Sequence, residues 1–213
     1  MNKDGDGSSQ TIKVLALHGS GGTADSFATN VLEKWNGQWP NINLDVTSVQ
    51  GQVPKDAGFA WWKLPPGERS STVDTFDGFE ASRDVVKKAV DDTNGGFDLV
   101  VGHSQGAILA TALLAVDPQV AQPSLGYILN GVAWPNPFTK ELEAPSFKST
   151  ARVLLLVGLE DDINRPEQAF RVQEALERAG CDLTIIAHGG GHAVPTKPGD
   201  TMEYIQAWIE KSD

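Results

Sequence analysis

The sequence predicts an α/β protein: a mostly parallel six-stranded sheet with helices on both faces. Three observations carry this. Six short apolar runs recur along the chain, each followed by a helix-forming segment. The runs are short and apolar, as strands of a parallel sheet covered by helices on both faces are. Glycine-rich or polar turns separate them at the spacing of strand–helix units.

Ile12 to Leu17 ("IKVLAL") is the first strand, and it ends at His18-Gly19. "SGGT" turns the chain. Asp25 is expected to cap a helix reaching Trp35, with Phe27, Val31, Leu32 and Trp35 on one face. Leu44 to Val49 is the second strand. The stretch from Gln50 to Thr75 is rich in Pro, Gly and Trp and too long for an ordinary connection, so it reads as a functional loop. Phe79 to Val90 is a helix ended by Asn94-Gly95-Gly96. "FDLVVG" (97–102) is a buried strand, and "AILATALLAV" (107–116) is a helix stopped at Asp117-Pro118. Tyr127 to Asn130 is the fourth strand, followed by the loop "VAWPNPF". "RVLLLVG" (152–158) is the fifth. Pro166 to Ala179 has Pro at its start and Gly180 just past its end, the asymmetry of a helix. "DLTIIAH" (182–188) is the sixth strand, and Met202 to Lys211 a closing amphipathic helix.

The chain has 213 residues, sufficient for one domain, here 11–213, after a disordered tail at 1–10. Its formal net charge is −11. Such a surface lacks the clustered Lys and Arg that phosphate backbones require, so nucleic acid is not an expected partner. No apolar run approaches a membrane span, so no stable membrane insertion is expected. Cys181 is the one cysteine, which excludes an intramolecular disulfide and any Cys-based metal site. No metal and no cofactor are expected, and the location is read as cytoplasmic. The oligomeric state is left open.

In parallel sheets of this kind ligands sit beyond the C-terminal strand ends. "VVGHSQGAI" places Ser104 at such an end, between Gly102 and Gly106. The pentapeptide G-x-S-x-G arises by chance in roughly one chain in ten to twenty of this size, so its context has to decide. The strand before it and the helix after it are what a nucleophile elbow requires. A serine needs a base, and the chain has four histidines: His18, His103, His188 and His192. His103 adjoins the serine and is expected to project away from the site. His188 ends the last strand and reads as structural. His192 lies in "GGGHAVP", where glycines leave room to place an imidazole over the serine, and it is the base chosen. "VGLEDDIN" supplies the acid. Asp161 is preferred, Asp162 follows closely, and Glu160 is third. The order Ser, acid, His is that of α/β-hydrolases. Gln105 and Ser20 are expected to offer the two backbone N–H groups of an oxyanion hole. "HGSGGT" lacks the Lys of a P-loop and the spacing of a dinucleotide loop. Trp61, Trp62, Trp134 and Phe138 lie in irregular loops and are expected to line an apolar acyl or aryl pocket.

Together "LALHGSGGTADSF", Trp61-Trp62, "FDLVVGHSQGA", "VGLEDDINRPEQ" and "HGGGHAVP" resemble the FSH family of serine hydrolases from about Ile12 to Ile209. The resemblance implies Ser104 as nucleophile, Asp161 as acid and His192 as base. It also implies esterase or thioesterase activity on a small-molecule substrate, no cofactor, and an α/β-hydrolase fold without a separate lid domain. Two positions depart from the family pattern. His103 stands where an aromatic residue is usual, and Asn164-Arg165 stands where Val-Pro is common. The competing readings are a ligand-binding module that keeps a vestigial triad, and a peptidase.

Overall fold

The computed structural model describes residues 9–211. The tail expected at 1–10 lies mostly outside them, and its last residue, Gln10, already belongs to the first strand. The chain order is β1 (Gln10–Leu17), α1 (Ala24–Phe27), a π-helical turn (Ala28–Leu32), α2 (Glu33–Asn36), β2 (Ile42–Val49), β3 (Val53–Lys55), β4 (Gly58–Ala60), α3 (Phe79–Asp92), β5 (Leu99–His103), α4 (Gln105–Val116), β6 (Gly126–Asn130), a 3₁₀ turn (Asn136–Phe138), α5 (Thr139–Glu143), β7 (Arg152–Gly158), α6 (Pro166–Ala179), β8 (Asp182–His188) and α7 (Asp200–Glu210). Six strands form one sheet in the order β2-β1-β5-β6-β7-β8, all parallel. This is the expected architecture.

Strand periodicity sorts the core into two layers. Leu15, Leu17, Val100, Leu129, Val153 and Leu155 face one side, where Val86 of α3, Leu109 of α4 and Leu176 of α6 cover them. Val14, Ala16, Leu99, Val101, Ile128 and Leu154 face the other, under Trp35 of α2 and Ile205 and Trp208 of α7. Helix α4 is buried on nearly every residue, which is why its sequence carries no polar face.

Two local expectations are corrected. The first helix is capped by Thr23 rather than Asp25. Thr23 Oγ1 accepts from Ser26 N at 3.0 Å while Ser26 Oγ accepts from Thr23 N at 3.1 Å, a reciprocal box that an aspartate two residues later cannot make. The stretch from Gln50 to Thr75 is not wholly irregular: β3 and β4 pair antiparallel as a small hairpin, which is pinned to the loop after β1 by Gly21 N–Phe59 O and Phe59 N–Gly22 O bonds of 2.8 and 2.9 Å. The hairpin thereby stands over the C-terminal edge of the sheet.

Candidate active site

Ser104 sits between β5 and α4 with φ 52° and ψ −118°, a region that non-glycine residues avoid. Its two flanking glycines make the turn possible. A Cβ on Gly106 would lie 2.2 Å from Leu17 O, and one on Gly102 would lie 2.8 Å from the Ala107 Cα. The strain is held by β5–β6 pairing and by Ser104 N donating to Asn130 O at 2.9 Å. The serine hydroxyl is thus presented at the N-terminus of α4, where the helix dipole favours developing negative charge.

His192 reaches Ser104 from the loop after β8. Its Nε2 lies 2.8 Å from Ser104 Oγ, and its Nδ1 lies 2.7 Å from Asp161 Oδ2. Asp161 follows β7 and is 4% exposed. Its other oxygen accepts the backbone N–H groups of Ile163 and Asn164 at 2.9 and 2.8 Å. A carboxylate only accepts, so Nδ1 of His192 carries the proton and Nε2 is free to take one from Ser104. Of the three acids weighed, it is Asp161 that meets the imidazole, while Asp162 is exposed and Glu160 offers its backbone N–H to Gly190 O.

Residues not singled out in the sequence brace this chain of bonds. Asn130 ends β6, and its amide donates to His192 O at 3.0 Å and contacts His103 Nδ1 at 3.1 Å. Gly131 follows with φ +58°; a Cβ there would lie 2.9 Å from both Cε1 and Nδ1 of His192. Asn164 donates to Gly131 O at 2.7 Å, so the residue that departs from the family pattern ties the acid's loop to the floor under the histidine. A polar Asn-Gly pair closing an apolar strand was the one available sequence signal for this brace.

His103 contradicts the expectation that it points away. Its ring centroid lies 4.9 Å from that of His192, and it fits there because Gly19 has no side chain: a Cβ on Gly19 would lie 2.9 Å from His103 Cδ2. Burial, and next the neighbouring His192, lower its pKa to about 4, so it stands neutral beside the hydrogen-bonded Ser104–His192 pair. His188 ends β8, and its Nδ1 accepts from Gly190 N at 3.2 Å. Burial lowers its pKa as well.

The Trp61, Trp62, Trp134 and Phe138 expectation is corrected. The three tryptophans are fully buried. Trp61 donates Nε1 to His18 O at 2.8 Å, Trp62 stacks on Phe76 at 4.0 Å, and Trp134 donates Nε1 to Thr139 Oγ1 at 2.8 Å. Phe138 packs on Phe79 at 4.5 Å. Their apolar area is buried and the N–H groups of Trp61 and Trp134 are paired inside, while Trp62 Nε1 has no hydrogen-bond partner among the described residues, so the rings support the site from beneath rather than line it. The cleft over Ser104, about 480 Å³, is lined instead by Leu64, Pro65, Pro66, Ile108 and Ile163, with Lys55, Glu68 and Arg69. Ser20 and Gln105 border it as expected. Gln105 opens α4, so its N–H has no intrahelical acceptor, and Ser20 N–H makes no hydrogen bond among the described residues. A larger groove of about 820 Å³ between β8 and α7 holds neither serine nor histidine near the sheet's C-terminal edge. Among the described residues no cluster of metal-ligating side chains occurs, and no helix is long and apolar enough to cross a membrane.

The sequence profile of the family described as serine hydrolase (FSH1) matches residues 8–204. The chain belongs to this family. Among curated relatives, an esterase of Caenorhabditis elegans is 28% identical over 204 residues, covering 87% of each chain. An esterase of Aedes aegypti is 25% identical, covering 94% of this chain and 76% of that one. The fold matches the crystal structure of a carboxylesterase from Mesorhizobium loti with a TM-score of 0.73 at 17% identity, over 96% of this chain and 91% of that one. The family and its esterase relatives support ester hydrolysis over the ligand-binding and peptidase readings.

Proposed function

We propose that the protein hydrolyses carboxylic esters through an acyl-enzyme on Ser104. The observation that carries this is the unbroken bond chain from Ser104 Oγ through His192 to buried Asp161, at the floor of an open cleft. In this reading His192 Nε2 takes the hydroxyl proton as Oγ attacks the carbonyl carbon. Asp161 holds the tautomer and stabilises the imidazolium. The N–H groups of Ser20 and Gln105 receive the oxyanion. Collapse breaks the bond to the leaving alcohol or thiol, which takes the proton from His192. Water then attacks the acyl carbon, gives its proton to His192, and the carboxylic acid leaves as Ser104 recovers its hydrogen. Ser104→Ala is expected to abolish turnover of p-nitrophenyl esters and labelling by a fluorophosphonate; labelling that persists would overturn the assignment.

The cleft supports a more specific substrate class. Its aliphatic walls suit a small to medium apolar acyl group. It carries two cations, Lys55 and Arg69, against one acid, Glu68, in a chain with 28 acidic and 17 basic residues. Neither cation is in an ion pair among the described residues. The overall negative charge of −11 is therefore reversed locally at the cleft. We propose a substrate with a carboxylate or phosphate remote from the scissile bond, on either an ester or a thioester. Paired hemisuccinate and butyrate esters of one phenol test this. Reversal of both cations to Glu is expected to lower kcat/KM for the hemisuccinate about tenfold or less, as exposed charge pairs allow, and to spare the butyrate. A cytoplasmic location is proposed on the single free cysteine, Cys181.

A further inference from the structure

The histidine after β1, His18, is buried, and its ring makes three directed hydrogen bonds. Its Nδ1 lies 2.8 Å from Gly19 O. Its Nε2 faces two N–H groups, Gly51 N at 3.0 Å and Gln50 Nε2 at 2.9 Å. Gly51 N can only donate, so Nε2 accepts and the proton resides on Nδ1, where it is given to the Gly19 carbonyl. Trp61 stacks on the ring at 5.0 Å and donates Nε1 to His18 O at 2.8 Å. Burial lowers the pKa of His18, in keeping with a neutral ring that donates on one side and accepts on the other.

The consequence lies in the next peptide unit. Gly19 O is held by His18 Nδ1 and by Gly22 N at 3.0 Å. The peptide that follows is planar and trans, so the Ser20 N–H points opposite to that carbonyl. Gly19 is in contact distance of the nucleophile, since a Cβ on it would lie 3.2 Å from Ser104 Cβ. With the carbonyl drawn inward, the Ser20 N–H is left facing the cleft beside Ser104, with no acceptor among the described residues. We propose that His18 is a positioning residue: its Nδ1–H holds the Gly19–Ser20 peptide in the orientation that presents the Ser20 N–H to the oxyanion. This rests on the reading of Ser20 N–H as an oxyanion donor given above.

Two substitutions separate this role from packing. In His18→Asn the side-chain amide can occupy the place of Nδ1 and keep the bond to Gly19 O, while the acceptor for Gly51 N is lost. In His18→Gln the side chain reaches the place of Nε2 and keeps that acceptor, while the hold on Gly19 O is lost. The expected result is that stability and rate move in opposite senses. His18→Gln should melt near the wild type but lose roughly ten- to a hundredfold in kcat, less than the full loss of one oxyanion donor, with KM little changed. His18→Asn should melt lower yet keep kcat within about threefold of the wild type, since that donor stays oriented. Rates that follow stability, with the Asn variant the slower, would overturn the proposal. The ¹⁵N shifts of the wild-type imidazole give an independent measure that needs neither variant nor substrate. A neutral ring protonated at Nδ1 at pH 7 is expected, and a ring protonated at Nε2 would equally overturn it. Failure of the wild type to turn over any ester would overturn the Ser104 reading instead, leaving the tautomer result to decide the hold on Gly19.

Discussion

Gly131→Ala places one methyl group against His192, the middle of the Ser104–His192–Asp161 bond chain, and the structure sets the size of the effect. The residue has φ +58°, so any alanine there carries the penalty of the left-handed region, about 1–2 kcal/mol. For a domain of this size that lowers Tm by roughly 2–8 °C. The added carbon would also stand 2.9 Å from His192 Cε1 and Nδ1 and 3.4 Å from Asp161 Oδ2. The glycine is fixed by its neighbours on β6 and by the Asn164 bond to its carbonyl, so the imidazole is the part that gives way. A displacement of about 1 Å at a reacting group costs on the order of a hundredfold in rate. Steady-state hydrolysis of a p-nitrophenyl ester, read beside thermal unfolding, measures both effects. Gly96→Ala is the control: φ is +71° and nothing lies within 4 Å of the added carbon, so the same strain should appear in Tm with kcat unchanged. If Gly131→Ala lowers Tm like the control and keeps kcat within about threefold, the claim that this glycine makes room for the imidazole is wrong.

Other outcomes follow from the same geometry. Asp161→Asn should fold and lose about four orders of magnitude in kcat, as loss of the tautomer-setting charge does in triads generally, while Asp162→Asn, exposed and off the imidazole, should change it by less than about tenfold. His103 titrates near 4 when folded and near 6.5 when unfolded, so between those values the unfolded chain binds more protons and stability falls as pH falls. Denaturant unfolding should show about 2–3 kcal/mol less stability at pH 4.5 than at pH 7 from this group, and His103→Phe should flatten that part of the profile; an unchanged slope would show that His103 is not held neutral.

The sheet was legible because its strands are short, mostly apolar runs ended by glycine or polar residues, and residue order alone placed Ser104 and Asp161 just after strands and His192 in the loop after the last one. Asp161 meets His192 because it falls where the chain turns back from β7, with Gly158 O accepting its N–H at 3.1 Å. The hairpin β3–β4 was not legible: each strand is three residues long, and Pro54 interrupts the pattern. The tryptophans misled because an aromatic residue in a loop segment looks the same whether its ring turns inward or lines a cleft. Only the partners at His18 O, Gln105 and Phe76, all distant in sequence, show which. The same holds for Asn130, Gly131, Lys55 and Arg69. Their roles come from what the fold sets beside them, and no local spacing encodes that.

In the proposed mechanism Ser104 Oγ carries the acyl group. Intact-protein mass spectrometry on enzyme quenched within the first turnovers of a slowly deacylating p-nitrophenyl ester tests it directly, with peptide mapping to locate the adduct. A mass increase equal to the acyl group, mapped to the peptide containing Ser104 and missing in Ser104→Ala, is the expected result. Ester turnover with no adduct, or with the acyl group on any other residue, would contradict the account.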